Sequence, residues 1–371
     1  MKVRAYVFWI GMVVMAFLGG CTHHPPEQPE KPWNCREGMP EKVILFIGDG
    51  MGGAQVTAAR MVNDGYLNMQ SMTVSGLMAT SCADRVVTGS AASATAMATG
   101  TKTNYGMIGM DPGGKPLVNI CEYLKDKGFA VGVISTASLQ DATPAAFYGH
   151  VLSRRMKAEL GYQMAYADVD VLIGGGSFWL REREDGLNLV DTMLHRGYHF
   201  YEHIDDVPSE VSGRLLVVQA AHHLPEIGAG RGDFLSKAVS VGISCLERTG
   251  KPWFLMVENE HIDLAAHEND QAKMLAEVLD MDKALGVALN HTAREEDLLV
   301  VVTADHECGG YSIIGGDVAE GIVEGSFQGD NHTAVDVPVF AQGPGELLFA
   351  GMYDNTALFH KIALLMEIDV E

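Results

Sequence analysis

Several separated stretches of the sequence close an apolar run with side chains of the kind that ligate divalent cations. Asp49 follows VILFIG (43 to 48), Glu258 closes WFLMVE (253 to 258), and Asp305 ends DLLVVVTAD (297 to 305) with His306 beside it. His332 lies in the loop before VPVFAQG (337 to 343). Asp263 and His267 stand four residues apart, so one helical turn aims both at one point. A carboxylate with an imidazole suits zinc, and the hard oxygen of Glu258 suits magnesium or a second metal. The pair Asp305-His306 leaves a buried apolar strand, where ionisable groups are costly unless something pairs them. An isolated Asp-x3-His pair also fits a solvated helix face, and Glu260 and His261 are read as either solvated or neighbours of the ligating residues, with no role assigned.

Two further segments carry groups that could act on a phosphoryl ester. Ser90 precedes a run of small helix formers (SAASATA), and a hydroxyl at a helix N-terminus can serve as a cap or, once deprotonated beside a metal, as a nucleophile. In Gln140-Asp141-Ala142-Thr143-Pro144 a loop enters a helix, with the proline suited to the first turn. Arg154 could offer a planar fork to two phosphate oxygens, or make an ordinary salt bridge. The turn Gly48-Asp49-Gly50-Met51-Gly52-Gly53 formally satisfies GxGxxG, a dinucleotide fingerprint. An aspartate inside that turn would repel a pyrophosphate, so a cation site accounts for it better.

These groups need a frame that brings strand ends together. The apolar runs named above, with FAVGVIST (129 to 136) and RLLVVQ (214 to 219), read as strands buried on both faces. Helical patterns at 116 to 127 and 267 to 291 separate them, which predicts an α/β fold: a three-layer α/β/α sandwich around a large, mostly parallel sheet. In such sheets ligands bind beyond the C-terminal strand ends, where the candidate residues lie. With 371 residues, 47% apolar and 20% charged, the chain can bury a sizeable core, and disorder or a disulfide-stapled miniprotein is excluded. The formal net charge of −22 argues against nucleic acid or an anionic lipid surface as the main partner.

The N-terminus has its own signature. Lys2 and Arg4 precede an apolar run from Ala5 to Leu18, too short to span a bilayer, which reads as a secretory signal over 1 to 20. Residues 21 to 40 hold five prolines and read as a semi-rigid tether, leaving 41 to 371 as one folded domain. The cysteines include no CxxC and suggest neither a thiolate zinc site nor a complete disulfide framework. Leu18-Gly19-Gly20-Cys21 resembles the lipobox of bacterial lipoproteins, which implies an exported protein held to a membrane through a lipidated Cys21, facing periplasm or exterior.

Taken in order, GDGMG, SAASAT, QDATPAA with HVLSRR, VEN(x)2-IDLAAH, TADH and the late His-Thr resemble the alkaline phosphatase family, over about 42 to 360. The resemblance implies that Asp263, His267 and His332 hold one zinc and Asp49, Asp305 and His306 a second. It implies that Asp49, Thr143 and Glu258 hold a magnesium whose waters Asp141 would keep. Ser90 would be the nucleophile that becomes a phosphoserine, and Arg154 would grip the phosphoryl oxygens. The implied activity is hydrolysis of small phosphomonoesters with broad specificity and an alkaline optimum; a homodimer carries over only weakly.

Three features depart from the family pattern. Gly89 stands where an aspartate commonly orients the arginine, which predicts a looser Arg154 and weaker phosphate retention. Leu264 replaces a common lysine or histidine, and 371 residues is short for the family. The competing readings are a phosphodiesterase or sulfatase on the same scaffold, a surface-tethered metal- or phosphate-binding module without catalysis, and, more remotely, a nicotinamide-dependent oxidoreductase.

Overall fold

Runs of β-branched and aliphatic residues with no polar alternation can be satisfied only inside a sheet covered on both faces. The computed structural model, which describes residues 38 to 370, shows that arrangement. The signal segment, Cys21, Cys35 and most of the tether lie outside the described residues. The first eight strands are β1 (Lys42–Gly48), β2 (Val74–Ala79), β3 (Ala130–Ser138), β4 (Val171–Gly175), β5 (Tyr198–Tyr201), β6 (Arg214–Val218), β7 (Trp253–Asn259) and β8 (Leu298–Thr303). Six shorter ones follow: β9 (Glu307–Cys308), β10 (Ser312–Asp317), β11 (Ile322–Ser326), β12 (His332–Thr333), β13 (Val337–Gln342) and β14 (Gly351–Asp354).

Ten of them form one sheet in the order β14-β2-β13-β8-β1-β7-β3-β4-β6-β5. Only β13 runs against its neighbours, β8 and β2; the other pairings are parallel. Every residue of β3, β7 and β8 is buried, as the apolar runs require. One helical group, with Phe234–Glu247 and Gln271–Thr292, packs together on the sheet; Ser90–Thr99, Ile120–Asp126 and Ala142–Ala145 form another. The expected α/β architecture is therefore the observed one.

The six strands read from the sequence are present within two residues of their expected ends. The helix expected over 267 to 291 begins four residues later, at Gln271–Thr292, and a separate short helix, His261–His267, precedes it. Asn269 between them takes the left-handed conformation, φ 55°, and Asp270 caps the second helix by accepting from the Lys273 N–H at 3.1 Å. β2, β4, β5 and β14 were not anticipated; they are short or lie toward the sheet edges, where the apolar signal is weak.

β7 is anchored from behind by a buried polar cluster. Asn259 Nδ2 donates to the Glu277 carbonyl at 3.0 Å and to Oε2 at 3.1 Å, while Arg231 pairs with Glu277 and, at 2.8 Å, with Asp280. The Arg231 side chain is fully buried. Removing one member leaves uncompensated buried charge, so Arg231→Ala is expected to cost about 3–5 kcal/mol in a urea titration. A loss below about 1 kcal/mol would show that the cluster is not needed to hold β7. Cys82, Cys121, Cys245 and Cys308 are buried free thiols, and no helix among the described residues is long and apolar enough to cross a membrane.

Candidate active site

Parallel strands that end side by side deliver the first group of ligating atoms. Asp49 follows β1, and Asp305 and His306 follow β8; all three are buried. His306 Nε2 lies 3.4 Å from Asp49 Oδ1 and 3.2 Å from Asp305 Oδ2. The Gly50 N–H donates to Asp305 Oδ1 at 3.1 Å and fixes that carboxylate against the turn after β1. Gly50 has φ +72°, and a Cβ there would sit 2.8 Å from Asp263 Oδ1. The glycines of this turn thus admit a carboxylate rather than a pyrophosphate.

The His261–His267 helix supplies the second group. Asp263 Oδ2 lies 3.2 Å from His267 Nε2, Asp263 Oδ1 lies 3.6 Å from His332 Nε2, and the two Nε2 atoms are 3.1 Å apart. His267 Nδ1 donates to the Asp330 carbonyl at 2.5 Å and His332 Nδ1 to the Thr88 carbonyl at 3.0 Å, so both rings turn Nε2 toward the aspartate. His332 is placed by the β9–β12 pairing, in which Thr333 donates to buried Glu307. The rings of His306 and His332 stack with centroids 3.6 Å apart, so the two groups adjoin. Cys308 joins the second group, a residue that no motif or spacing singled out.

The electrostatics follow from burying so many like charges. Burial and the charges of Asp305 and Asp263 push the Asp49 carboxyl well above its ordinary range, and burial with the charge of Asp263 raises Asp305 to about 6. Burial also lifts Asp263, but the His267 hydrogen bond and the neighbouring imidazoles outweigh it and hold the carboxyl low. The same bond raises His267 to about 9, while burial drives His306 and His332 down to about 4.

Whether these residues fit divalent cations can be judged from their unpaired atoms. Asp49 Oδ1, Asp263 Oδ1 and Asp305 Oδ2 are buried with no hydrogen-bond partner among the described residues. They are the same atoms that face His306 and His332. Buried, unsatisfied carboxylate oxygens aimed at imidazole lone pairs match a zinc donor set in chemistry and in number. Glu258 at the end of β7 accepts from the Ser135 hydroxyl, is raised by burial and by the charge of Glu260, and acts in turn on Asp49. Thr143 lies beside it, its buried hydroxyl in hydrogen-bonding reach of the Glu258 carboxylate, and this pair of hard oxygens suits an oxygen-ligated cation.

Ser90 opens the Ser90–Thr99 helix with no side-chain cap before it, and its Oγ lies 3.3 Å from His306 Nε2. A cavity of about 400 Å³ opens over it, lined also by Asp49, Arg154, Asp263, His267 and His332. The looser Arg154 expected from Gly89 is not what the structure holds: Arg154 Nη2 donates to Asp141 Oδ1 at 2.7 Å. Asp141 also accepts from Lys157 Nζ at 2.6 Å, and His223 Nε2 approaches it at 3.6 Å while its Nδ1 lies 2.5 Å from Glu260 Oε2. Asp141, His223 and Glu260 form a third ligand-like group. Glu260 and His261, read as either solvated or neighbours of the ligating residues, are both buried, which leaves the second reading. His223 follows a strand end and could have been found by the rule that located Asp49, whereas Lys157 gave no comparable signal.

Comparisons with known proteins point to one family. The family model described as alkaline phosphatase matches residues 41 to 326. Streptomycin-6-phosphate phosphatase of Streptomyces griseus is 31% identical, over 85% of this chain and 88% of that protein. Alkaline phosphatase of Escherichia coli (strain K12) is 28% identical, over 86% of this chain and 84% of that protein. The structure of alkaline phosphatase from the Antarctic bacterium TAB5 superimposes with a TM-score of 0.86 at 31% identity, covering 90% of this chain and all of that one.

Proposed function

Because the chain belongs to the alkaline phosphatase family and is a phosphatase, we propose that it hydrolyses phosphomonoesters through a phosphoserine on Ser90, with two zinc ions and one magnesium. The observation that carries this reading is that Ser90, Asp49 and Arg154 open on one cavity, with His306 Nε2 beneath it close to Ser90 Oγ and to the unpaired oxygens of Asp49 and Asp305. Asp263, His267 and His332 would hold one zinc, Asp49, Asp305 and His306 the other, and Asp49, Thr143 and Glu258 the magnesium. Bound there, the cations would supply Lewis-acid charge to the attacking and leaving oxygens of an in-line displacement.

The protein's own groups do the rest. Ser90 Oγ, at the positive end of its helix, gives up its proton to solvent and forms a bond to phosphorus as the bond to the ester oxygen breaks, and the released alkoxide takes a proton from water. Water then displaces Oγ, giving inorganic phosphate and the free serine. Arg154 meets two phosphoryl oxygens with its planar fork, and Asp141 holds that fork in place. The proposal extends to the N-terminus: the signal segment and Cys21 would export the enzyme and tether it to a bacterial membrane, where a homodimer is an open outcome.

The test is hydrolysis of a chromogenic phosphomonoester between pH 8 and 10 by the full chain, before and after chelation and zinc readdition. Activity lost and then restored supports the reading; turnover of diesters or sulfate esters in preference would move it to the rival chemistries on this scaffold. Asp141→Asn keeps shape but removes the charge that anchors Arg154 and Lys157. It is expected to raise KM about fivefold, the size of one charge-assisted hydrogen bond. An unchanged KM would mean that Arg154 is positioned without it.

A further inference from the structure

The residue before the nucleophile is a glycine for want of space, not for backbone freedom. Gly89 has φ −134°, extended backbone that any residue adopts, yet a Cβ there would meet Tyr105 Cε2 at 2.9 Å and Cζ at 3.1 Å. The Tyr105 ring fills the volume beside Ser90 that a side chain at 89 would take. Its backbone is pinned there: the Tyr105 N–H donates to Asp84 Oδ1 at 2.8 Å, and the Gly106 carbonyl accepts from the Arg154 N–H at 2.7 Å. The Arg85 guanidinium lies over the ring, 4.2 Å from its centroid.

The surroundings show what this ring faces. Arg85, Val87 and Tyr105 line the cavity on which Ser90 and Arg154 also open, and Leu264 lines it from the His261–His267 helix. Tyr105, Val87 and Leu264 are 43%, 40% and 38% exposed, unusual for large apolar side chains beside so polar a centre. A phosphoryl group held between Ser90 and Arg154 must project its ester substituent out of this cavity, along the wall these residues build. Tyrosine under a stacked guanidinium offers a flat, polarisable surface, which suits a planar ring more than a hydrated polyol chain.

We propose that Tyr105, admitted by Gly89 and covered by Arg85, is a specificity-determining residue that favours phosphomonoesters with an aromatic leaving group. This rests on the phosphomonoesterase reading and adds the substrate class. It also accounts for both departures from the family pattern at the site, since Gly89 makes room for the ring and Leu264 supplies an apolar neighbour in place of a charge.

The test compares phenyl phosphate with glycerol 1-phosphate for the full chain supplied with zinc and magnesium. Tyr105→Ala is expected to lower kcat/KM for phenyl phosphate about tenfold, mostly through KM, and for glycerol 1-phosphate about twofold. Tyr105→Phe keeps the ring and is expected to keep the wild-type ratio. Calorimetric Kd values for phenylphosphonate and methylphosphonate need no turnover and should show the same selective loss. Equal losses on both substrates would mean that Tyr105 acts only through the Gly106–Arg154 link, and no loss would mean that the leaving group never meets the ring; either overturns the proposal. A wild type inactive on both esters but binding phenylphosphonate with the Tyr105-dependent preference would instead overturn the reading of the reaction.

Discussion

Ser90→Ala is expected to lower kcat for phosphomonoesters by at least about a thousandfold, the scale on which removal of a catalytic nucleophile is felt. The change deletes one buried oxygen whose nearest partner is His306 Nε2 at 3.3 Å, and it leaves the Ser90–Thr99 helix with a better helix former at its first position. Zinc content by atomic emission and thermal stability should therefore stay close to the wild type. That combination separates loss of a nucleophile from collapse of the site. A variant keeping a tenth or more of the activity would place the attack on water rather than on serine, and the covalent route would be abandoned.

The second large effect concerns the metal-free protein. Chelation should abolish activity and expose the cost of packing Asp49, Glu258 and Asp305 together. Burial and neighbouring carboxylates push Asp49 and Glu258 well above their ordinary range. A carboxyl raised in this way stabilises the fold fully only below its unfolded value, and that contribution is lost as pH rises through the folded one. His267, raised to about 9 by its bond to Asp263, loses its contribution in the same direction. His306 and His332, lowered to about 4 by burial, work the opposite way, but their effect is complete above about pH 6.5. Between about pH 6.5 and about pH 8 the metal-free protein is thus expected to lose stability as pH rises. Two cation sites filled at a hundred times their Kd would add about 5 kcal/mol and remove that slope. Melting curves across this range, with chelator and with zinc and magnesium, check it; a metal-free protein whose Tm rises with pH would contradict the assignment.

What could be read from the residues divides along physical lines. Asp49, Glu258, Asp305 and His306 were legible because a strand buried on both faces announces itself as an unbroken apolar run, and its end is then a known place. Asp263 and His267 were legible because helical spacing alone puts them together. Their assembly with His332 depends on the β9–β12 pairing of two residues on each side, too short to leave a pattern. For Glu260 the residues left two readings open, solvated or beside the ligands, because its deciding partner, His223, comes from a segment more than thirty residues earlier. The role of Gly89 was out of reach for a similar reason. Nothing in the chain near it says that the Tyr105 ring occupies its side-chain space. The break before Gln271 was hidden because Glu268 to Asp270 carry neither glycine nor proline to mark it.

The most direct measurement is to quench the metal-loaded full chain in acid during turnover of a phosphomonoester and map phosphorylation by peptide mass spectrometry. A phosphate on the peptide containing Ser90, absent from Ser90→Ala and from unreacted protein, is the predicted result. Steady turnover with no phosphate on Ser90 under any quench, including acidic conditions that slow release of the phosphoserine, would contradict the account at its centre.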